Sequence, residues 1–338
     1  MKIILIAYKH PHHGSHSGYD RITEYFPGNT VINIAGMLPV RVFSSLSGFL
    51  KRYINYERRY WNLVELLVTF RCRFLRNSVV HILYPESFSP AKKRFPNSVK
   101  LGGTFHLPLD EYMRLNPVLR EKHRFFDQAI VMSGDMKPWL EEIIGKGKVS
   151  FIPHGIDTGF FKPLAGTIRK DRILVVGGWL RDFALAGRVF RIIHDKDPEI
   201  LFTVVAQPAH KKFFSGQSYV EYVSGIPDGQ LLALYQTSKI LYLPLKACTA
   251  NNALLEGAAC GCRIYVSTSA PDYSYFSPEQ IRFSASEDPE KIAQDLLSEI
   301  KEFQERQQAG LVGFVRENYS WEVVASRTCE ALIQTLVP

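Results

Sequence analysis

Cysteine is scarce and follows no pairing pattern: Cys72, Cys248, Cys260, Cys262 and Cys329 form an odd set with no C-x-x-C spacing. That usage argues against a disulfide framework or a zinc site and predicts reduced thiols. No apolar run reaches the ~20 residues a helix needs to span a bilayer. The apolar stretch Lys2 to Tyr8 is short for a signal-peptide core and no cleavage site follows it, so the expected location is cytoplasmic. Neither an internal repeat at a 20–50-residue period nor a low-complexity tract is present, which excludes solenoids and arrays. The dinucleotide fingerprint G-x-G-x-x-G is missing too. After the first apolar run the glycines are Gly14 and Gly18, and Ile34-Ala35-Gly36 stands where a ribose-binding acid would end a second strand. A nicotinamide-dependent enzyme therefore fails on detail.

What is present is a chain of 338 residues, 46% hydrophobic, enough for two cores. Short apolar runs alternate with helical patterns. Lys2 to Tyr8, Val31 to Ala35, Val79 to Tyr84, Val99 to Phe105, Ala129 to Met132 and Val149 to Ile152 read as strands. A second series follows at Arg172 to Val176, Ile200 to Val205, Tyr219 to Val223, Lys239 to Pro244 and Arg263 to Ser267. Helical stretches are expected at Asp182 to His194, Asp228 to Thr237 and Pro289 to Gln308. Strands without internal polar alternation are buried on both faces, so the pattern predicts an α/β chain with two doubly wound parallel sheets. The expected layout is a Rossmann-like domain over 1–152, a hinge over 153–163 and a second such domain over 164–320, with a terminal helix over 321–338.

Charge is uneven. Residues 1–150 hold 22 Lys and Arg against 12 Asp and Glu, while the rest of the chain is slightly acidic. The densest basic stretch runs from Arg41 to Arg76 and is interleaved with aromatics such as Phe49, Tyr53, Tyr60, Trp61, Phe70 and Phe74. Such a mixture suits an anionic membrane surface or a lipid-diphosphate acceptor, and equally suits core-packing helices with a solvated basic face. No nucleic-acid module is recognisable, so no nucleic-acid partner is expected.

Ligands of doubly wound sheets bind beyond the C-terminal ends of the strands, so the loops there carry the chemistry. Thr249 to Ser267 offers a helix start rich in capping residues, with Asn251, Asn252 and Ala253 at its head and Gly261 as its stop. Its unpaired N–H groups suit a diphosphate. Glu256 lies one turn inside and is placed to accept hydrogen bonds from a sugar or ribose diol. His10, His12, His13 and His16 crowd the first loop, but their spacing is irregular and no acid precedes Asp20, so no metal is expected. His106 ends the Val99 to Phe105 strand.

These segments resemble the family 4 glycosyltransferases. E-G-A-A-C-G-C-R-I from Glu256 matches the tail of that family's donor helix, E-x7-E followed by A-M-A-C-G-x-P-V. FIPHGIDTGFFKP from Phe151 is similar to its interdomain hinge. VSGIPDGQLLALY from Val223 is similar to its nucleoside-base loop, and NYSWEV from Asn318 to the start of its terminal helix. The resemblance is good from about residue 129 onward and loose before it.

The resemblance implies a GT-B fold, with the two domains facing across a cleft. It also implies a retaining, metal-independent hexosyl transfer from a nucleotide sugar, the leading donor being UDP-glucose, to a glycan or lipid-linked acceptor in polysaccharide biosynthesis. No cofactor beyond the co-substrate is implied. The enzyme would sit in the cytoplasm or peripherally on the inner face of the membrane. Residue by residue, His106 and Arg181 are the catalytic candidates. His106 faces the transferred sugar, and Arg181 stands in for a phosphate-binding arginine whose place is taken by Gly178. Gly14, His16 and Gly18 face the diphosphate and acceptor, Ile226 the base, Lys246 the phosphates, and Asn251, Asn252 and Ala253 supply helix-start amides, while Glu256 holds the ribose. Cys248 occupies the position of the first family Glu. Two alternatives stay open: a GT-B sugar-nucleotide epimerase, and a nucleotide-sugar-binding protein without turnover, the latter motivated by Cys248 and the missing arginine.

Overall fold

The computed structural model describes residues 2–7, 16–26, 30–33, 56–247, 249–268 and 275–335. The described residues of 1–13, 18–153 and 322–338 form one compact unit, and those of 14–17 and 154–321 another.

The first unit is built on six parallel strands: β1 (Lys2–Ala7), β2 (Thr30–Asn33), β3 (Ser78–Ile82), β4 (Val99–Phe105), β5 (Gln128–Val131) and β6 (Val149–Phe151). Their order is β2-β1-β3-β4-β5-β6. Ile3 to Ala7 are all buried, which accounts for the unbroken apolar run of β1. Helix α1 (Tyr56–Cys72) sends Val64, Val68 and Cys72 into the core at one-turn spacing. Glu65 is buried beside them. It is satisfied by the Ala91 N–H at 2.7 Å, Lys122 at 2.9 Å and Arg94 at 3.4 Å. Three short helices follow, α2 (Leu109–Met113), α3 (Pro117–His123) and α4 (Met136–Ile144). Asn116 caps α3 and Pro117 occupies its first turn, a pairing that fits the fixed φ of proline to a helix start.

The second unit repeats the plan with β7 (Lys170–Val176), β8 (Leu201–Val205), β9 (Val220–Val223), β10 (Ser238–Leu245), β11 (Arg263–Thr268) and β12 (Arg282–Ser284), ordered β12-β11-β10-β7-β8-β9. Helices α5 (Phe183–Lys196), α6 (Asp228–Thr237), α7 (Asn252–Ala259), α8 (Pro289–Lys301) and α9 (Glu305–Tyr319) complete it. α5 and α8 bury Phe190, Ile193, Ile292 and Leu296 against one face of the sheet. α7 lies close on β10, because a Cβ at Gly257 would come within 2.4 Å of Leu241 Cδ2. Arg169 sends its guanidinium to the carbonyls of Tyr235, Ser238 and Cys260. A cation at the C-terminal ends of α6 and α7 answers both helix dipoles.

Two expectations need correcting. The helix expected over Pro289 to Gln308 is two helices, α8 and α9, parted where Gln304 turns extended at φ −128°. Neither glycine nor proline marks that break, so periodicity alone ran through it. Strand β12 was not expected, since three residues are too few to show a period. The last helix, α10 (Trp321–Gln334), belongs to the first unit from Glu322 onward, where the Gln128 side-chain amide donates to the Ala331 carbonyl at 2.7 Å. The glycine of the hinge-like motif also has a physical reason. A Cβ on Gly155 would lie 2.2 Å from the fully buried Trp321 ring.

In both sheets the connections leave in opposite directions from one central strand. The switch lies between β1 and β3 in the first unit and between β7 and β10 in the second. Side chains just past those strand ends are the places to look for chemistry.

Candidate functional site

In the second unit the switch point is built from the loop after β7 and the N-terminus of α7. Gly177 has φ +90° and Leu180 has φ +55°, a left-handed conformation that costs energy in a residue with a side chain. The loop runs against the end of β10, with Asp182 N–H donating to Pro244 O at 2.8 Å and Lys246 N–H to Leu180 O at 2.9 Å. Arg181 is half-buried. It donates from Nε to Val176 O at 3.2 Å, from one terminal nitrogen to Trp179 O at 3.3 Å, and from the other to Asn251 Oδ1 at 3.0 Å. A Cβ on Gly177 would lie 3.2 Å from that last nitrogen, so glycine leaves room for the guanidinium. Gly178 faces His210, whose Nε2 would lie 3.2 Å from an added Cβ.

Asn251 is the N-cap of α7 and accepts from Leu254 N–H at 3.3 Å, while Asn252 and Ala253 open the first turn. The same Asn251 oxygen thus takes both Arg181 and the helix. Its side-chain nitrogen is enclosed and has no hydrogen-bond partner among the described residues. Glu256, one turn on, is buried and accepts the Tyr235 hydroxyl at 2.8 Å. Burial raises its carboxyl to about 7, against the opposing pull of the Tyr235 hydrogen bond. Lys246 is exposed and lines a cavity of about 170 Å³ together with Asp182, Arg188, Ser267, Ser286 and Glu287. Arg181, Gly178, Lys246, Asn251, Asn252, Ala253 and Glu256 are therefore gathered at one switch point.

The remaining expected residues lie elsewhere. Ile226 is half-buried in the loop after β9, two strands from β7. His16, in the second unit, stacks on Phe160 with ring centroids 3.6 Å apart and hydrogen-bonds Asp157 at 2.8 Å. Gly18, in the first unit, takes φ +105° and starts the short turn Tyr19–Tyr25. Gly14 and Cys248 fall outside the described residues, as do Arg41, Lys51 and Arg52. Among the described residues no group of His, Cys, Asp and Glu could hold a metal ion.

His106 follows β4 in the first unit, beside the loop that leaves β3. Its Nε2–H donates to Leu83 O at 2.7 Å, and its ring stacks on Tyr84 at 4.5 Å. Sequence reasoning passed over Tyr235, Asp157 and Glu86, which hold Glu256, His16 and the His106 backbone respectively. Tyr235 sat inside a recognised segment and had a signal. Glu86, in a Pro-Glu-Ser loop, had none.

Comparison with known proteins finds similarity in sequence and in fold. No family model matches the chain. In sequence it is similar to a phosphatidylinositol N-acetylglucosaminyltransferase subunit of Arabidopsis thaliana, 23% identical over 240 residues. The match covers 64% of this chain and 51% of the relative, so the chain spans about half the length of that curated relative. In structure it is similar to the N-terminal domain of Candida albicans trehalose-6-phosphate phosphatase, with a TM-score of 0.70 and 12% identity, covering 99% of this chain and 97% of that one. It is also similar to an α,α-trehalose-phosphate synthase (UDP-forming) from Burkholderia xenovorans, with a TM-score of 0.66 and 13% identity, covering 98% and 100%. The chain has the GT-B fold, two Rossmann-like parallel-sheet domains, and the proteins it is similar to include glycosyltransferases.

Proposed function

We propose that this protein is a glycosyltransferase that takes a hexose from a nucleotide sugar, with UDP-glucose the leading donor, and passes it with retention to a glycan or lipid-linked acceptor. The observation that carries the reading is the convergence of Arg181, Asn251 and the α7 N-terminus at the switch point between β7 and β10. Helix-start amides and a guanidinium stabilise negative charge, and the departing nucleoside diphosphate gains negative charge as the glycosidic bond breaks. Glu256 is the ribose ligand in this scheme, and the resemblance puts His106 against the sugar. No cofactor or metal is required. Release of a nucleoside diphosphate from a panel of nucleotide sugars tests the reaction.

A lipid-linked acceptor gains support from the far side of α1. Leu66 and Phe70 are exposed one turn apart on α1, opposite Val64 and Val68, and Phe74 is exposed just past the helix end. Arg73 lies over the Phe70 and Phe74 rings, at 5.3 and 4.8 Å from their centroids, and Arg71 and Arg76 are exposed nearby. No helix among the described residues is long and apolar enough to cross a membrane. Apolar side chains ringed by arginine suit the headgroup layer of an anionic bilayer, where each basic residue contributes about 1 kcal/mol within a Debye length of ~8 Å. The protein should cosediment with vesicles rich in anionic lipid and be released by salt. Reversing Arg71, Arg73 and Arg76 to Glu should abolish that binding and leave turnover on a soluble acceptor unchanged. Equal binding to neutral vesicles would make the stripe an ordinary surface.

A further inference from the structure

We infer that Glu86 is the positioning residue for His106, holding its imidazole in one orientation and one tautomer. The loops after β3 and β4 grip each other reciprocally. From the β3 side, Glu86 Oε1 accepts the backbone N–H of His106 and that of Leu107, the latter at 3.2 Å. From the β4 side, His106 Nε2–H donates to Leu83 O at 2.7 Å. A carbonyl can only accept, so Nε2 carries a proton. The ring is enclosed by Tyr84, stacked at 4.5 Å, and by Tyr19, edge-on at 4.9 Å.

The β3 loop is itself pinned from the other side. His123 Nε2–H donates to Pro85 O at 3.0 Å, while His123 Nδ1 takes the Tyr112 hydroxyl at 2.6 Å. Glu86 therefore reaches His106 from a fixed base, next to the β1/β3 switch point of the first sheet. Its second oxygen, Oε2, is enclosed and has no hydrogen-bond partner among the described residues. A buried polar atom without a partner is uncommon in a folded protein. Burial also lifts the carboxyl to about 7, with the His106 and Leu107 N–H groups opposing the rise.

The effect on turnover rests on the proposed role of His106 at the sugar; the hold on the ring does not. Nitrogen-15 spectra of labelled histidine read that hold directly in the wild type, Glu86→Ala and Glu86→Gln. The wild type should show His106 as a single Nε2–H tautomer, and Glu86→Ala should show a mixture. Glu86→Gln, which keeps an oxygen for both N–H groups, should restore the single form. An unchanged tautomer in Glu86→Ala, or a mixture in Glu86→Gln equal to that in Glu86→Ala, would overturn the inference. In the transfer assay Glu86→Ala should lower kcat about 10-fold with little change in donor KM, as expected for a displaced group, and Glu86→Gln should recover most of it. Unchanged kcat in Glu86→Ala would refute the link to catalysis. A wild type without turnover would end the transferase reading while the spectra still decide the role of Glu86.

Discussion

Arg181→Ala should lower kcat by about 100-fold or more, the scale of losing one preorganised charge stabiliser at a reacting centre. Two effects act together. In the proposed reaction the guanidinium would favour the departing diphosphate more than the bound substrate, so its loss should fall on kcat more than on donor KM. It also fixes Asn251, whose oxygen caps α7, so the helix start that presents the amides loses a neighbour. Arg181→Lys keeps a charge but cannot span Val176 O, Trp179 O and Asn251 Oδ1 at once, and should recover only part of the rate. Steady-state kinetics on a nucleotide sugar decide the matter. Full activity in Arg181→Ala would move phosphate binding to Lys246 or to the loop that holds His16.

Glu256→Ala should weaken nucleotide-sugar binding by about 1.5–3 kcal/mol, the worth of hydrogen bonds to a charged group. Its pH dependence gives a second signature. The folded carboxyl titrates near 7, above the ordinary glutamate value of 4.5, because of burial. Between those values the folded protein keeps a proton that the unfolded chain has lost. Stability from this group is therefore greatest at low pH and declines as pH rises to about 7. Ribose hydroxyls donate best to the ionised form, so affinity for a nucleotide sugar should rise between pH 6 and 8 and then level off. The diphosphate diester does not titrate in that window. Glu256→Gln should flatten the curve. Calorimetry showing wild-type affinity and an unchanged pH profile in the variants would remove Glu256 from the site.

Much of the architecture was legible because buried parallel strands write themselves as apolar runs. β4 spans the expected Val99–Phe105 and α6 the expected Asp228–Thr237. The Asn251 cap and the Gly261 stop at φ +81° were also readable, since each is a local requirement of the backbone. What escaped was non-local. The parting of α8 from α9 carries no breaker residue, and β12 is too short to show a pattern. The Glu86 clamp joins residues 20 positions apart that become neighbours only when β3 and β4 pair. Arg181 illustrates the limit from the other side. The family resemblance implied a phosphate-binding role for it, and only the structure shows how many of its donors the protein itself takes up.

The central claim, that the β7/β10 switch point serves transfer from a nucleotide sugar, is tested most directly by product analysis. The wild-type protein would be incubated with UDP- and GDP-sugars, with and without lipid-linked and soluble glycan acceptors. The account predicts an acceptor-dependent release of the nucleoside diphosphate, with matching sugar on the acceptor, no requirement for a divalent metal, and loss of both products in Arg181→Ala. Conversion of the donor to its epimer, or tight donor binding with neither product formed for any donor and acceptor, would contradict it.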